Sequence, residues 1–232
     1  MQKEKGLAVR TNSVLEVQEG AFPGAVVKVP LKNVQEDAEF AGTFYLGEGQ
    51  PARLVFDTGS EYLAVTSSLC GPSAESGDEK LSGLAQARAK GEEQTAKCLT
   101  RAYDVAKATH SEKKGDRPTK VVYGSAELEG VVYQDSVCAV EGLAQCFPLQ
   151  FLALSEAKGL HQDTDGILGL AVNTDADMRE GGVVEQMRLA GVVAHSVISF
   201  SISLHGDAFA VLGGVEPAQV VGGDGGIVYF PN

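Results

Sequence analysis

The chain has no tryptophan and only four histidines, and acidic residues outnumber basic ones by 31 to 19, which gives a net charge of −12. Nucleic acids and anionic membranes bind basic faces, so neither is expected as a partner. The chain also lacks the roughly 18 consecutive apolar residues that a membrane-spanning helix needs. Cys-x-x-Cys pairs and histidine clusters are absent, so no zinc site is predicted.

The start of the chain also lacks a recognisable targeting signal. Residues 1–5 are charged, but the apolar core of a secretory signal peptide does not follow them. Residues 1–24 are polar and weakly patterned. We expect them to be an N-terminal extension or the remnant of a propeptide, contributing a loose end or an edge strand.

From residue 25 onward the pattern is that of short β-strands separated by glycine-rich turns, with 28 glycines in the chain. One helix is predicted over Val183–Ala190, where apolar residues recur at helical spacing. This pattern indicates an all-β domain covering residues 25–232. Residues 71–97 contain no aromatic residue and are predicted to form a surface insertion.

The four cysteines permit two disulfide bonds in three possible connectivities. Cys138 and Cys146 flank a predicted hairpin turn and could pair across it in an oxidising compartment. A bond between Cys70 and Cys98 would close the insertion. The alternative is four free buried thiols in a cytosolic protein.

The most informative motif is Asp57-Thr58-Gly59-Ser60, which follows the apolar run at residues 53–56 and occurs once. A carboxylate at the end of a buried strand, followed by small residues and glycine, can accept backbone N–H groups that fix its orientation. The plainer interpretation is an Asx-turn that ends a strand.

Two further segments become informative when they are considered together with this motif. Residues 121–131 form a predicted hairpin whose tip carries Tyr123, Gly124 and Ser125. Residues 166–170 form an apolar strand, with Gly166, Ile167, Leu168 and Gly169, whose glycines permit close backbone approach. Alone, each segment is typical of an ordinary hairpin or core strand.

In this order, the three segments resemble the N-terminal lobe of pepsin-like aspartic endopeptidases, over about residues 25–232. The resemblance implies a single lobe of the bilobal β-barrel fold, without its C-terminal lobe, and a secretory, lysosomal, vacuolar or extracellular location. It implies no metal or cofactor, because water is the nucleophile, and a peptide or protein as substrate. The spacing from Asp57 to Cys70 also resembles the family's first disulfide.

The resemblance also assigns residue roles. Asp57 would be the catalytic carboxylate, Ser60 would support it by a hydrogen bond, and Thr58 would reach toward a facing lobe. Tyr123 and Gly124, with Ser125, would form the flap over the substrate. The strand Gly166–Gly169 would pack behind the catalytic loop.

The chain departs from the family pattern near the flap. Ala64 stands where the family usually has a tryptophan bound to the flap tyrosine, and Ala126 stands where glycine is common. Residues 161–164 are polar where aromatic residues are frequent. These departures predict a more weakly held flap and a more polar or smaller substrate pocket.

The larger departure is that the chain carries a single Asp-Thr-Gly motif, whereas aspartic protease chemistry needs two carboxylates. The second could come from a C-terminal lobe after residue 232, from a separate processed chain, or from a second copy of this chain. Residues 227–231 resemble the strand that leads into a second lobe, which favours the first source. The competing hypotheses are a catalytically inactive single-lobe module that binds peptides, and an unrelated β protein.

Overall fold

The structure of the chain is a computed structural model. It describes residues 15–16, 25–35, 39–70, 98–123, 126–142, 144–171, 182–203, 207–216, 218, 220–221 and 228–229. The predicted insertion at residues 71–97 and most of residues 1–24 lie outside the described residues.

Strands dominate the described part of the chain. They are β1 (Leu15–Glu16), β2 (Val27–Gln35), β3 (Glu39–Leu46), β4 (Gln50–Asp57), β5 (Leu63–Thr66), β6 (Glu112–Lys113), β7 (Thr119–Tyr123), β8 (Ala126–Val140), β9 (Ala144–Lys158), β10 (Gly166–Gly169), β11 (Ile198–Ser201), β12 (Ala208–Leu212) and β13 (Val228–Tyr229). The helix α1 spans Val183–Leu189. The predicted all-β class is therefore confirmed.

Eleven of these strands form one sheet in the order β11-β12-β2-β3-β4-β10-β5-β9-β8-β6, with β7 paired to β8. An additional pairing of β3 with β8 folds the sheet back on itself as a barrel. Strands β1 and β13 form a separate antiparallel pair. A short edge strand was one of the two outcomes expected for the first residues of the chain.

The barrel core is built by strand alternation. In β4, Ala52, Leu54 and Phe56 point into the core, whereas the odd-numbered residues face outward. The largest fully buried side chain is Tyr103, whose ring contacts that of Phe151 edge-on with centroids 5.0 Å apart.

The core also contains a buried carboxylate. Asp135 is 4% exposed and accepts hydrogen bonds from the Tyr103 hydroxyl at 2.9 Å and from the Ser136 backbone N–H at 2.7 Å. Burial, and secondarily this hydrogen bond to Asp135, raise the pKa of Tyr103 well above its ordinary value. The tyrosine therefore stays a neutral donor to the carboxylate.

Both disulfide bonds are formed, Cys70 to Cys98 and Cys138 to Cys146. The second joins directly opposed residues of β8 and β9. The helix ends one residue earlier than the pattern predicts, because Ala190 is already its C-cap and the next residue, Gly191, has φ +73°.

Candidate active site

Asp57 is the last residue of β4 and faces outward, partly exposed. One of its carboxylate oxygens accepts the backbone N–H of Gly59 at 2.8 Å. This bond closes the turn predicted from the Asp-Thr-Gly motif. It also fixes the carboxylate at the mouth of a buried strand rather than letting it rotate freely in solvent.

The strand β10 holds this turn from behind. It runs parallel to β4, with Gly169 opposite Asp57, and antiparallel to β5. The Leu170 N–H donates to the Asp57 carbonyl at 2.8 Å, and the Ala171 N–H donates to the Ser60 carbonyl at 2.9 Å. The turn that carries Asp57 is thus held at both of its ends by backbone hydrogen bonds.

The glycines of β10 are required by close backbone approach, as the sequence suggested. A Cβ at Gly166 would collide with the Ala64 carbonyl oxygen, and one at Gly169 would lie 2.6 Å from the Tyr62 carbonyl oxygen. Both lie far inside normal contact distance. Only glycine lets β10 fit between β4 and β5.

Asp165, just before β10, has a structural task that the sequence did not reveal. Its carboxylate accepts the Arg53 N–H at 2.8 Å, and its own N–H donates to the Arg53 carbonyl at 2.7 Å. Its carbonyl in turn accepts the Thr66 N–H at 2.8 Å. Asp165 therefore holds β4, β5 and β10 together. Its partner on β4, Arg53, lies four residues from Asp57, or about 13 Å at roughly 3.3 Å per residue.

The other two residues of the motif lie in contrasting surroundings. Thr58 is exposed, and its role toward a facing lobe stays a prediction. Ser60 is 2% exposed, and its hydroxyl has no hydrogen-bond partner among the described residues. The hydrogen bond expected between Ser60 and Asp57 is absent here, so the supporting role of Ser60 stays a prediction.

The hairpin of β7 and β8 forms one wall of the site. Tyr123 pairs with Ala126 across it, and Val122, 62% exposed, faces the space in front of Asp57. Gly124 and Ser125 at the tip, and the side chain of Tyr123, lie outside the described residues. Their flap role remains a prediction.

Together these elements enclose an open groove of about 710 Å³, called here the Asp57 groove. Its lining is mostly apolar, with Phe40, Val55, Phe56, Val122, Ala126, Leu160, Ile167, Phe200 and Ile202. The ionisable side chains that line it are Glu39, Asp57 and His161. Ligand sites commonly combine apolar lining side chains with a few placed polar groups, as Asp57 and its neighbours do here.

Ala64, which stands where a tryptophan was expected, is fully buried and packs against the β7–β8 hairpin. It packs in a small apolar cluster with Ala126, Leu128, Leu152, Leu154 and Ile167. Ala126 belongs to the same cluster, so the two departures from the family pattern lie together. Small side chains at both positions fill this space.

Several groove residues escaped the sequence reasoning as site residues. Glu39 and Phe40 begin β3, and Phe200 and Ile202 lie at or just beyond β11, both distant in sequence from Asp57. No signal in the sequence indicated Glu39, because only the observed register, which pairs Ala41 with Val55, places Glu39 at the same end of β3 as Asp57 in β4. His161 was noted only as a polar departure, and it lines the groove.

The family model for eukaryotic aspartyl proteases matches residues 39–230, which include all of these elements from β3 onward. The chain belongs to the eukaryotic aspartyl protease family. This membership confirms the resemblance seen in the sequence and identifies the barrel as pepsin-like.

Individual relatives agree at low identity. The chain is 27% identical over 197 residues to renin of Echis ocellatus, covering 79% of this chain and 44% of that protein. It is 25% identical over 203 residues to chymosin of Bos taurus, covering 86% of this chain and 47% of that protein. It is 26% identical over 204 residues to phytepsin of Hordeum vulgare, covering 84% of this chain and 35% of that protein.

The chain therefore spans less than half the length of these curated relatives. In the part of the chain that the structure describes, no helix is long and apolar enough to cross a membrane.

Proposed function

We propose that the chain is the lobe of an aspartic endopeptidase that carries one catalytic carboxylate, Asp57, and the flap. The observation that carries this proposal is the position of Asp57 in the groove, at the end of a buried strand with the Gly59 N–H on its carboxylate. Its reaction would be hydrolysis of a peptide bond by a water molecule that Asp57 activates.

One carboxylate does not complete this reaction. In aspartic proteases, two carboxyl groups about 3 Å apart share one proton, because both cannot be ionised at once. The ionised group takes a proton from the attacking water, while the protonated group donates to the substrate carbonyl. Asp57 alone can take a proton at a pH where it is ionised but then has none to donate. A second carboxyl group must therefore face it.

Exposed residues on the open side of the Asp57 groove support the proposal that a partner binds at this face. Phe200 and Ile202 line it and are 37% and 54% exposed, and Thr58 is exposed beside Asp57. Apolar side chains beside a reactive carboxylate would be covered by a second lobe. That lobe could be joined in the same polypeptide, come from a processed chain, or be a second copy of this chain.

The test is peptide cleavage at about pH 4 by the full-length product, comparing the wild type with Asp57→Asn. We expect a loss of at least about 1000-fold, since the amide cannot act as a base. Asp163→Asn is the matched control, because Asp163 is an exposed aspartate outside the groove lining. Cleavage that survives Asp57→Asn unchanged would refute the proposal.

A second function is favoured by the single Asp-Thr-Gly motif in the sequence. The lobe could bind an extended peptide along the flap and groove without cleaving it. The same assay separates the two functions. Peptide binding that is equal in the wild type and in Asp57→Asn, without cleavage in either, would support the binding module.

We also propose a secretory, lysosomal, vacuolar or extracellular location. The support is the pair of disulfide bonds, since such bonds persist in oxidising compartments and are rare in the cytosol.

A further inference from the structure

A second groove, of about 360 Å³, lies on the outer face of β2, β3 and β4. We call it the basic groove, because Lys28, Lys32 and Arg53 line it, together with the hydroxyl residues Thr43 and Tyr45. Its lining includes one acidic residue, Glu141 at the β8–β9 turn. This excess of positive charge is unusual in a chain with a net charge of −12.

Two of the three cations are free to bind a ligand. Within the described ranges, neither the Lys32 ammonium group nor the Arg53 guanidinium group makes an ion pair. Arg53 donates instead to a neutral acceptor, the Asp163 carbonyl, at 3.3 Å. The nearby Asp165 carboxylate is already bound to the Arg53 backbone N–H. Lys28, in contrast, lies 3.8 Å from Glu216 and over the Phe209 ring.

The basic groove lies beside the Asp57 groove. Strand alternation puts Arg53, Val55 and Asp57 on the same outer face of β4. Val55 lines the Asp57 groove, and its cross-strand partner Ala41 lines the basic groove. Lys32 is paired with Ala41 on the other side. The two grooves therefore share a border at this row of residues.

The spacing along β4 sets the length of a ligand that would reach both grooves. Arg53 lies four residues from Asp57, or about 13 Å at roughly 3.3 Å per residue. An extended peptide covers the same distance in about four residues. A peptide whose scissile bond lies at Asp57 could place a side chain about four positions away beside Lys32 and Arg53.

We infer that the basic groove binds an acidic residue of the peptide substrate, about four positions from the bond that is cleaved. The inference rests on the proposed function, because it takes the Asp57 groove as the place where a peptide lies. The substrate class is thus an extended peptide with apolar residues at the flap and a carboxylate farther along. The cations act on binding and not on the chemical step.

The test measures binding without cleavage, with Asp57→Asn protein and two fluorescein-labelled peptides. The peptides share an apolar centre and carry either Glu or Gln four positions away on both sides. At low salt we expect the Glu peptide to bind about five- to tenfold more tightly, as two exposed charge pairs would give, and this preference to shrink at high salt.

Charge-reversal variants assign the effect. Lys32→Glu with Arg53→Glu should abolish the preference for the Glu peptide, and Lys32→Glu alone, at an exposed position, should reduce it. Arg117→Glu makes the same change of charge on the loop between β6 and β7 and should leave the preference intact. Equal affinities for the two peptides, or a preference that survives the double variant, would overturn the inference.

The outcome is separable from that of the proposed function. Equal binding of the two peptides, combined with cleavage that depends on Asp57, would reject the basic groove alone. Cleavage that does not depend on Asp57 would reject the proposed function, whatever the binding assay shows.

Discussion

Two aspartates of the same barrel lie in contrasting surroundings, one buried in the core and one lining a groove. Asp135 is 4% exposed, and its carboxyl oxygens accept hydrogen bonds from the Tyr103 hydroxyl and the Ser136 N–H. Asp57 opens onto a groove, and beside it the buried hydroxyl of Ser60 lacks a partner among the described residues. Buried polar groups are normally satisfied, and exceptions concentrate where a protein does chemistry. The contrast fits a structural role for Asp135 and the catalytic role that we propose for Asp57.

The largest effect is expected from a change that disrupts the barrel carrying both aspartates. Gly166→Ala would drive a methyl group into the Ala64 carbonyl, and neither β4 nor β5 can move without opening the barrel. We expect the free energy of unfolding to fall by at least about 4 kcal/mol, or the chain to fail to fold. Urea unfolding followed by circular dichroism would measure this.

Gly115→Ala is the control for that variant, because nothing lies within 4 Å of the Cβ it would introduce. A Gly166→Ala protein as stable as Gly115→Ala would show that β10 does not need to lie so close to β5.

The next effect removes the donor that satisfies Asp135. Tyr103→Phe keeps the ring contacts but deletes the hydroxyl, which leaves a buried carboxylate oxygen without that hydrogen bond. We expect a loss of about 1–3 kcal/mol in the free energy of unfolding. Tyr45→Phe, at a partly exposed tyrosine, should change it by less than about 0.5 kcal/mol. Similar values for the two variants would contradict the structural role of Asp135.

A pair of serines sharpens the comparison. Ser67 is fully buried, and its hydroxyl donates to the Leu154 carbonyl at 2.7 Å and accepts the Leu69 N–H at 3.1 Å. We expect Ser67→Ala to cost about 1–2 kcal/mol, whereas Ser60→Ala should leave stability unchanged or raise it by up to about 1 kcal/mol. Thermal unfolding of both variants would check this. A Ser60→Ala protein as destabilised as Ser67→Ala would mean that the Ser60 hydroxyl stabilises the fold.

The smallest effect concerns acid resistance away from the site. Arg188 binds the Glu185 carboxylate through two nitrogens, at 2.8 and 2.6 Å. Together with a hydrogen bond from Ser196, it lowers the pKa of Glu185 from its ordinary value to about 2. A depressed pKa stabilises the folded state above the unfolded value, and that contribution is lost as the pH falls through the folded value.

The stability difference between the wild type and Glu185→Gln should therefore be constant above about pH 5 and shrink between pH 4.5 and 2. Denaturant unfolding across this range would show it. A difference that stays constant down to pH 2 would mean that the ion pair does not hold Glu185 ionised.

The sequence allowed the all-β class, the helix near residue 183 and the Asp57 turn to be predicted, because each rests on local periodicity or on a short motif. The glycines of β10 were also interpreted correctly, since close approach leaves a mark on the sequence. What could not be predicted depends on strand register. The bonds from Asp165 to Arg53 and from Tyr103 to Asp135 join residues 112 and 32 positions apart. The basic groove, likewise, exists only because β2, β3 and β4 align their outer faces.

The most direct test of the account measures stability and cleavage on the same Asp57→Asn preparation of the full-length product. The account predicts an unfolding free energy within about 0.5 kcal/mol of the wild type, because the carboxylate lies at a groove and not in the core. It also predicts that cleavage falls by at least about 1000-fold. A variant that unfolds readily, or one that still cleaves peptide at the wild-type rate, would contradict it.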